Sequence, residues 1–207
     1  SVMPTAIASE LTREWYYGND EQEFEQRDIA SVPILLGSDK ASHGETLYVK
    51  IDLGIGKNLA CTGIYVPSSF RPDSDIEVVL YLHGHKGTYP GNAVLINGYW
   101  DSTRFPFFAL REEVSASRRN VIFVAPSLGP TSQAGNLSRS GGFDTFIEHV
   151  LSSLNEHYLI PRYGRRIRNV KSIILAAHSG GGSPMLNIAK GTGRYAAKIQ
   201  ECWCFDS

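Results

Sequence analysis

The sequence predicts an α/β protein, built as a mostly parallel sheet flanked by helices on both faces, with an antiparallel edge on its N-terminal side. Three observations predict it. Four short runs, VVLYL (78–82), VIFVA (121–125), SIILAA (172–177) and CWCF (202–205), are continuously apolar rather than alternating, the pattern of strands buried on both faces of a parallel sheet. The segments between them are long enough for crossover helices, which gives the order β-α-β-α-β-α-β. Upstream, TLYVKIDL and CTGIYVP read as two more strands, an antiparallel pair turned at Gly54-Ile55-Gly56.

The helices follow from periodicity. Phe143, Phe146, Ile147, Val150, Leu151 and Leu154 recur at steps of 3, 1, 3, 1 and 3, which trace one face of a helix. FPFFALREEVSASRR supplies the helix after the first buried strand, and SPMLNIAK the helix after the third. The stretch SLGPTSQAGNLSRSGG (127–142) is rich in Gly, Ser and Pro, and loops of this length inside compact domains are often functional. With 42% hydrophobic and 20% charged residues over 207 positions, the chain has apolar material for one sizeable core, and a single domain over 1–207 is expected.

Composition also excludes classes. Twenty Lys and Arg against 21 Asp and Glu leave a net charge of −1, so nothing favours nucleic acid as a partner. No apolar stretch approaches the ~20 residues that span a bilayer, and SVMPTAIASELTREW lacks the basic flank and apolar block of a signal peptide. A soluble protein is expected; cysteine usage slightly favours the cytoplasm, and a leader already removed would fit the first residue, Ser1. Cys61, Cys202 and Cys204 are too few, and odd in number, for a disulfide framework. They read as small core residues, and no metal site is expected.

Sheets of this kind bind ligands beyond the carboxyl ends of their strands, where the loops read HGHKG, PSLGP, HSGGG and DS. Ala177-His178-Ser179-Gly180-Gly181 follows a strand and precedes a helix. A serine at such a bend has small neighbours two before and two after, so that strand and helix backbones can approach. Gly180 then offers an unobstructed N–H at a helix start, suited to a developing oxyanion. The same string also reads as a turn whose serine caps the helix. His83-Gly84-His85-Lys86-Gly87 follows the first buried strand; it reads as a glycine turn, or as a pair of metal-ligating histidines lacking further ligands.

Together these motifs resemble the α/β-hydrolase superfamily, serine esterases and lipases among them, from about Thr46 to Ser207. Ala177-x-Ser179-x-Gly181 is similar to the nucleophile elbow G-x-S-x-G, with alanine in place of the first glycine, and His83-Gly84-His85 looks like the oxyanion loop. The resemblance implies Ser179 as nucleophile and the backbone N–H groups of His85 and Gly180 as the oxyanion hole. It also implies an acid and then a histidine later in the chain. No histidine follows His178, and His178 itself, adjacent to the serine in a sharp turn, points away from it. The expectation is that the C-terminal strands, helices and histidine-bearing loop of the family are absent from this chain, and that a complementary fragment or chain supplies them.

Asp206, at the end of the last run, is a candidate triad acid and equally a turn or cap residue. The expected function is hydrolysis of a carboxylic ester through an acyl-enzyme on Ser179. The rivals are a serine peptidase and a non-catalytic binding module. The partner is then a small-molecule ester or a peptide. No cofactor is expected, because no Walker-type or dinucleotide glycine loop precedes a helix. NGYWDSTRFPFF (97–108) reads either as the lining of an apolar pocket or as plain core.

Overall fold

The computed structural model describes residues 31–56, 59–72, 75–85, 96, 100 and 109–206. The chain divides at Ser31/Val32, and the unit that begins at Val32 is built on a seven-stranded sheet of β1 (Leu35–Ala41), β2 (Gly44–Lys50), β3 (Cys61–Pro67), β4 (Glu77–Leu82), β5 (Val121–Pro126), β6 (Ser172–His178) and β7 (Ile199–Phe205). Their spatial order is β1-β2-β3-β5-β4-β6-β7. The pairs β5/β4, β4/β6 and β6/β7 are parallel, whereas β1/β2, β2/β3 and β3/β5 are antiparallel. The predicted fold class holds, with a parallel core and an antiparallel N-terminal edge.

Strand alternation sorts the core onto two faces. Val78, Leu80 and Leu82 of β4, Ile122 and Val124 of β5, and Ile173, Leu175 and Ala177 of β6 join one cluster. The intervening Val79, Tyr81, Val121, Phe123, Ile174 and Ala176 join the other. Strands that are apolar on both sides read as unbroken runs, which is why these three were visible in the sequence.

Helix α1 (Leu110–Ala116) connects β4 to β5 and packs Leu110 and Val114 on the second face. Helix α2 (Gly142–Leu154) connects β5 to β6 on the first face and buries all six residues of its predicted stripe. It continues through a π-helical turn (Asn155–Leu159) into the short α3 (Ile160–Tyr163), ended by Gly164 at φ +60°. Helix α4 (Gly182–Ala189) follows β6 and packs Met185 and Ile188 into the same core cluster. The chain therefore winds from β4 to β5 across one face and returns to β6, beyond β4, across the other. The direction of winding reverses at the carboxyl ends of β4 and β6, the position at which open α/β sheets form a crevice.

The edges depart from expectation. β1 was not foreseen: LLGSDKA is neither continuously apolar nor alternating, and its residues are mostly exposed. It is held by its ladder to β2 and by Asp39, whose carboxylate accepts from the buried Arg111 of α1 at 3.1 Å. Arg111 also donates to Thr46 Oγ1 and to Trp100 O, with its guanidinium over the Trp100 ring. At the opposite edge, CWCF does form a strand, but β7 is exposed along most of its length rather than buried. Cys202 and Cys204 are accordingly exposed, so the expectation of core cysteines holds only for Cys61. Burial pushes the Cys61 thiol up to about 11, because a thiolate there would lose its hydration. Trp100 is core, against Phe123 and over Gly63; apart from Trp100, the aromatic stretch 97–108 lies outside the described residues.

Candidate active site

β6 ends in extended geometry at His178, and the next residue turns sharply. Ser179 has φ +48°, in the left-handed region, and opens a 3₁₀ turn (Ser179–Gly181) that runs directly into α4. A left-handed backbone costs a residue with a Cβ roughly 1–2 kcal/mol, so the conformation persists because its surroundings impose it. Ser179 is exposed although it directly follows a buried strand.

The surroundings are the loop after β4. A Cβ on Gly181 would lie 2.1 Å from the carbonyl oxygen of Leu82 and 3.0 Å from that of His83. Gly84 meets His178 Nδ1, the His178 carbonyl and Ser179 Cβ within 3.0 Å of where its own Cβ would stand. Above them the His85 ring lies on Gly180, with Cδ2 and Nε2 at 2.3 and 2.5 Å from the Cβ position. Two strand-end turns are thus packed backbone to backbone. The sequence places Ser179, Gly180 and His85 together, and the structure brings all three to one seam.

The contacts at Gly180 and Gly181 differ in kind, which gives a test. Gly180 is opposed by a side chain that is itself exposed. Gly180→Ala displaces the His85 ring at a cost of about 1–2 kcal/mol, and in a His85→Ala background most of that cost disappears. A double-mutant cycle on unfolding free energies reads the coupling; equal costs in the two backgrounds would refute the contact.

His83, His43 and His157 are engaged in hydrogen bonds of the fold. His83 is fully buried; its Nδ1–H donates to Gly84 O at 2.8 Å, and its Nε2 accepts from the Leu128 N–H at 2.8 Å. Those two bonds fix the neutral tautomer protonated on Nδ1. They also use both ring nitrogens, which removes His83 from any metal-ligating pair with His85. His43, in the β1–β2 turn, bonds the Tyr65 hydroxyl through Nδ1 at 2.6 Å. His157 Nε2 bonds Pro33 O. Burial in α2 lowers the His149 pKa below its usual value, with Glu148 opposing the shift.

Asp206 follows β7 at φ +57° and is exposed. The β6/β7 register pairs His178 with Phe205, so Ser179 and Asp206 each directly follow a residue of that last pair, at the carboxyl edge of the sheet. Lys86 and Gly87 lie outside the described residues. The sequence reading marked 127–142 as a long loop of a kind often functional and missed the part played by 128–133; the structure folds that stretch back onto His83. A cavity of about 290 Å³ lined by Arg139, Phe143, Asp144 and Lys190 does not include Ser179, Gly180 or His85 in its walls. No described helix is long and apolar enough to cross a membrane.

No protein-family model matches the chain, and no curated protein sequence matches it. Solved structures with similar architecture include an S-formylglutathione hydrolase from Agrobacterium tumefaciens, with 17% identity and TM-score 0.43, covering 82% of this chain and 60% of that one. An acetyl xylan esterase from Aspergillus awamori has 19% identity and TM-score 0.35, covering 70% and 46%. The rice cell wall degrading esterase LipA from Xanthomonas oryzae has 10% identity and TM-score 0.44, covering 75% and 45%. This chain thus spans between about half and three fifths of the length of these proteins. Its own strand order, with an antiparallel β3 beside β5 and a serine turn between β6 and α4, makes the fold α/β-hydrolase-like.

Proposed function

We propose that the chain is a serine hydrolase that cleaves a carboxylic ester through an acyl-enzyme on Ser179. The observation that carries the reading is the exposed Ser179 at φ +48°, at a strand-to-helix turn packed on Gly84. Strain of this kind at an exposed hydroxyl, in the crevice where the winding reverses, is what a nucleophile elbow requires. Ser179 Oγ attacks the ester carbonyl as its proton passes to a general base. The N–H groups of Gly180 and His85 hold the oxyanion, each worth about 3 kcal/mol of transition-state stabilisation. Collapse of the tetrahedral intermediate breaks the ester C–O bond and releases the alcohol, protonated by the same base. Water then attacks the acyl-enzyme, and the acid and free Ser179 are returned. The base in this reading is a histidine, with Asp206 accepting its Nδ1–H.

A peptidase would use the same residues on an amide. The contrary reading is a binding module that keeps the fold without the chemistry. A fluorophosphonate probe on the complete protein separates the classes: an activated Ser179 is labelled and found in the peptide that carries it, while an ordinary hydroxyl stays unmodified. Side-by-side kinetics on ester and peptide substrates then divide esterase from peptidase.

A further inference from the structure

Beyond the loops that meet Ser179, a second set of contacts converges on the β4 loop from the opposite side. Ser132 is buried and, like Ser179, sits in the left-handed region, at φ +53°. Its hydroxyl donates to the His83 carbonyl at 2.8 Å. Its own N–H reaches Gly129 O, and the N–H of Gln133 closes the turn onto Leu128 O at 2.8 Å. Leu128, fully buried, donates its N–H to His83 Nε2. The 128–133 turn thus grips His83 twice, at the ring and at the carbonyl.

A peptide group is planar, so fixing its oxygen fixes its N–H, which points the opposite way. His83 O and Gly84 N–H belong to one plane; Gly84 O and His85 N–H belong to the next. Ser132 holds the first plane by its oxygen, and the His83 ring holds the second. The direction of the His85 N–H is therefore set by the buried His83 ring, which the Leu128 N–H holds, while Ser132 anchors the peptide from which that ring springs. The Nδ1–H tautomer, which the Leu128 N–H imposes on His83, is the one that can hold Gly84 O.

We propose that Ser132 and His83 are positioning residues whose brace aims the His85 N–H at the oxyanion. The proposal rests on Ser179 being the nucleophile, but its structural half can be tested without catalysis. In the complete protein, Ser132→Gly removes the hydroxyl while relieving the left-handed backbone, so the fold is retained; Ser132→Ala removes the hydroxyl alone. In both variants the His85 and Gly84 amide resonances are expected to shift. The kcat is expected to fall by about tenfold, part of the ~100-fold carried by one oxyanion donor. KM is unchanged, and phosphonylation of Ser179 slows in proportion. Unmoved amide resonances, or a rate loss that follows only the melting temperature, overturn the brace. If the wild-type protein neither turns over esters nor labels, the nucleophile reading has failed, and the amide resonances of the two variants still decide whether Ser132 sets the His85 peptide.

Discussion

If Ser179 is the proposed nucleophile, Ser179→Ala is expected to lower ester turnover by at least about 10⁴-fold in the complete protein and to abolish fluorophosphonate labelling, with KM and the fold unaffected. The size follows from the chemistry: without Oγ there is no acyl-enzyme, and the two N–H donors alone leave only residual hydrolysis. Stability separates the strain from the chemistry. Alanine keeps the Cβ and so keeps the cost of φ +48°. Ser179→Gly relieves roughly 1–2 kcal/mol of that cost and gives back roughly 0.5–1 kcal/mol through the greater freedom of glycine in the unfolded chain. Relief wins, and the inactive glycine variant unfolds at higher urea than wild type. Retained turnover in Ser179→Ala would end the functional reading; a glycine variant less stable than wild type would contradict the strain.

Gly181→Ala is expected to be the most damaging single methyl in the site. Its Cβ would stand 2.1 Å from Leu82 O and 2.8 Å from Leu82 C, backbone atoms at the end of a strand paired on both sides. No rotamer change relieves that overlap, so the β4 and β6 ends must separate. The expected loss is about 3 kcal/mol or more, measured by urea denaturation, with a fall in serine labelling as the donors on the two loops move apart. A variant within about 0.5 kcal/mol of wild type would show that the two turns do not meet as closely as described.

The legibility of the fold followed burial. β4, β5 and β6 were visible because apolar side chains on both faces leave no polar punctuation, and the α2 stripe because one helical face is buried. β1 was not, since LLGSDKA owes its place to a ladder and to Arg111, 72 residues away, and no local pattern encodes either. The apolar character of CWCF announced a strand correctly, yet its depth depends on what flanks it, and β7 has β6 on one side among the described residues. In the candidate site, Ser179, Gly180 and Gly181 were legible because a sharp bend needs small neighbours. Ser132 was not: a serine among Gly, Ser and Pro looks like any loop residue, and its meaning lies in a hydrogen bond to a carbonyl 49 positions earlier.

The reversal of winding between β4 and β6 carries a consequence for descent. Where connections leave in opposite directions, the backbone path itself places a crevice between them, whatever side chains border it. Its location is inherited with the path of the backbone, while its chemistry depends on a handful of atoms at the rim. Changing one oxygen at residue 179 would silence such a hollow without closing it, leaving a receptacle of the same shape open to a new guest.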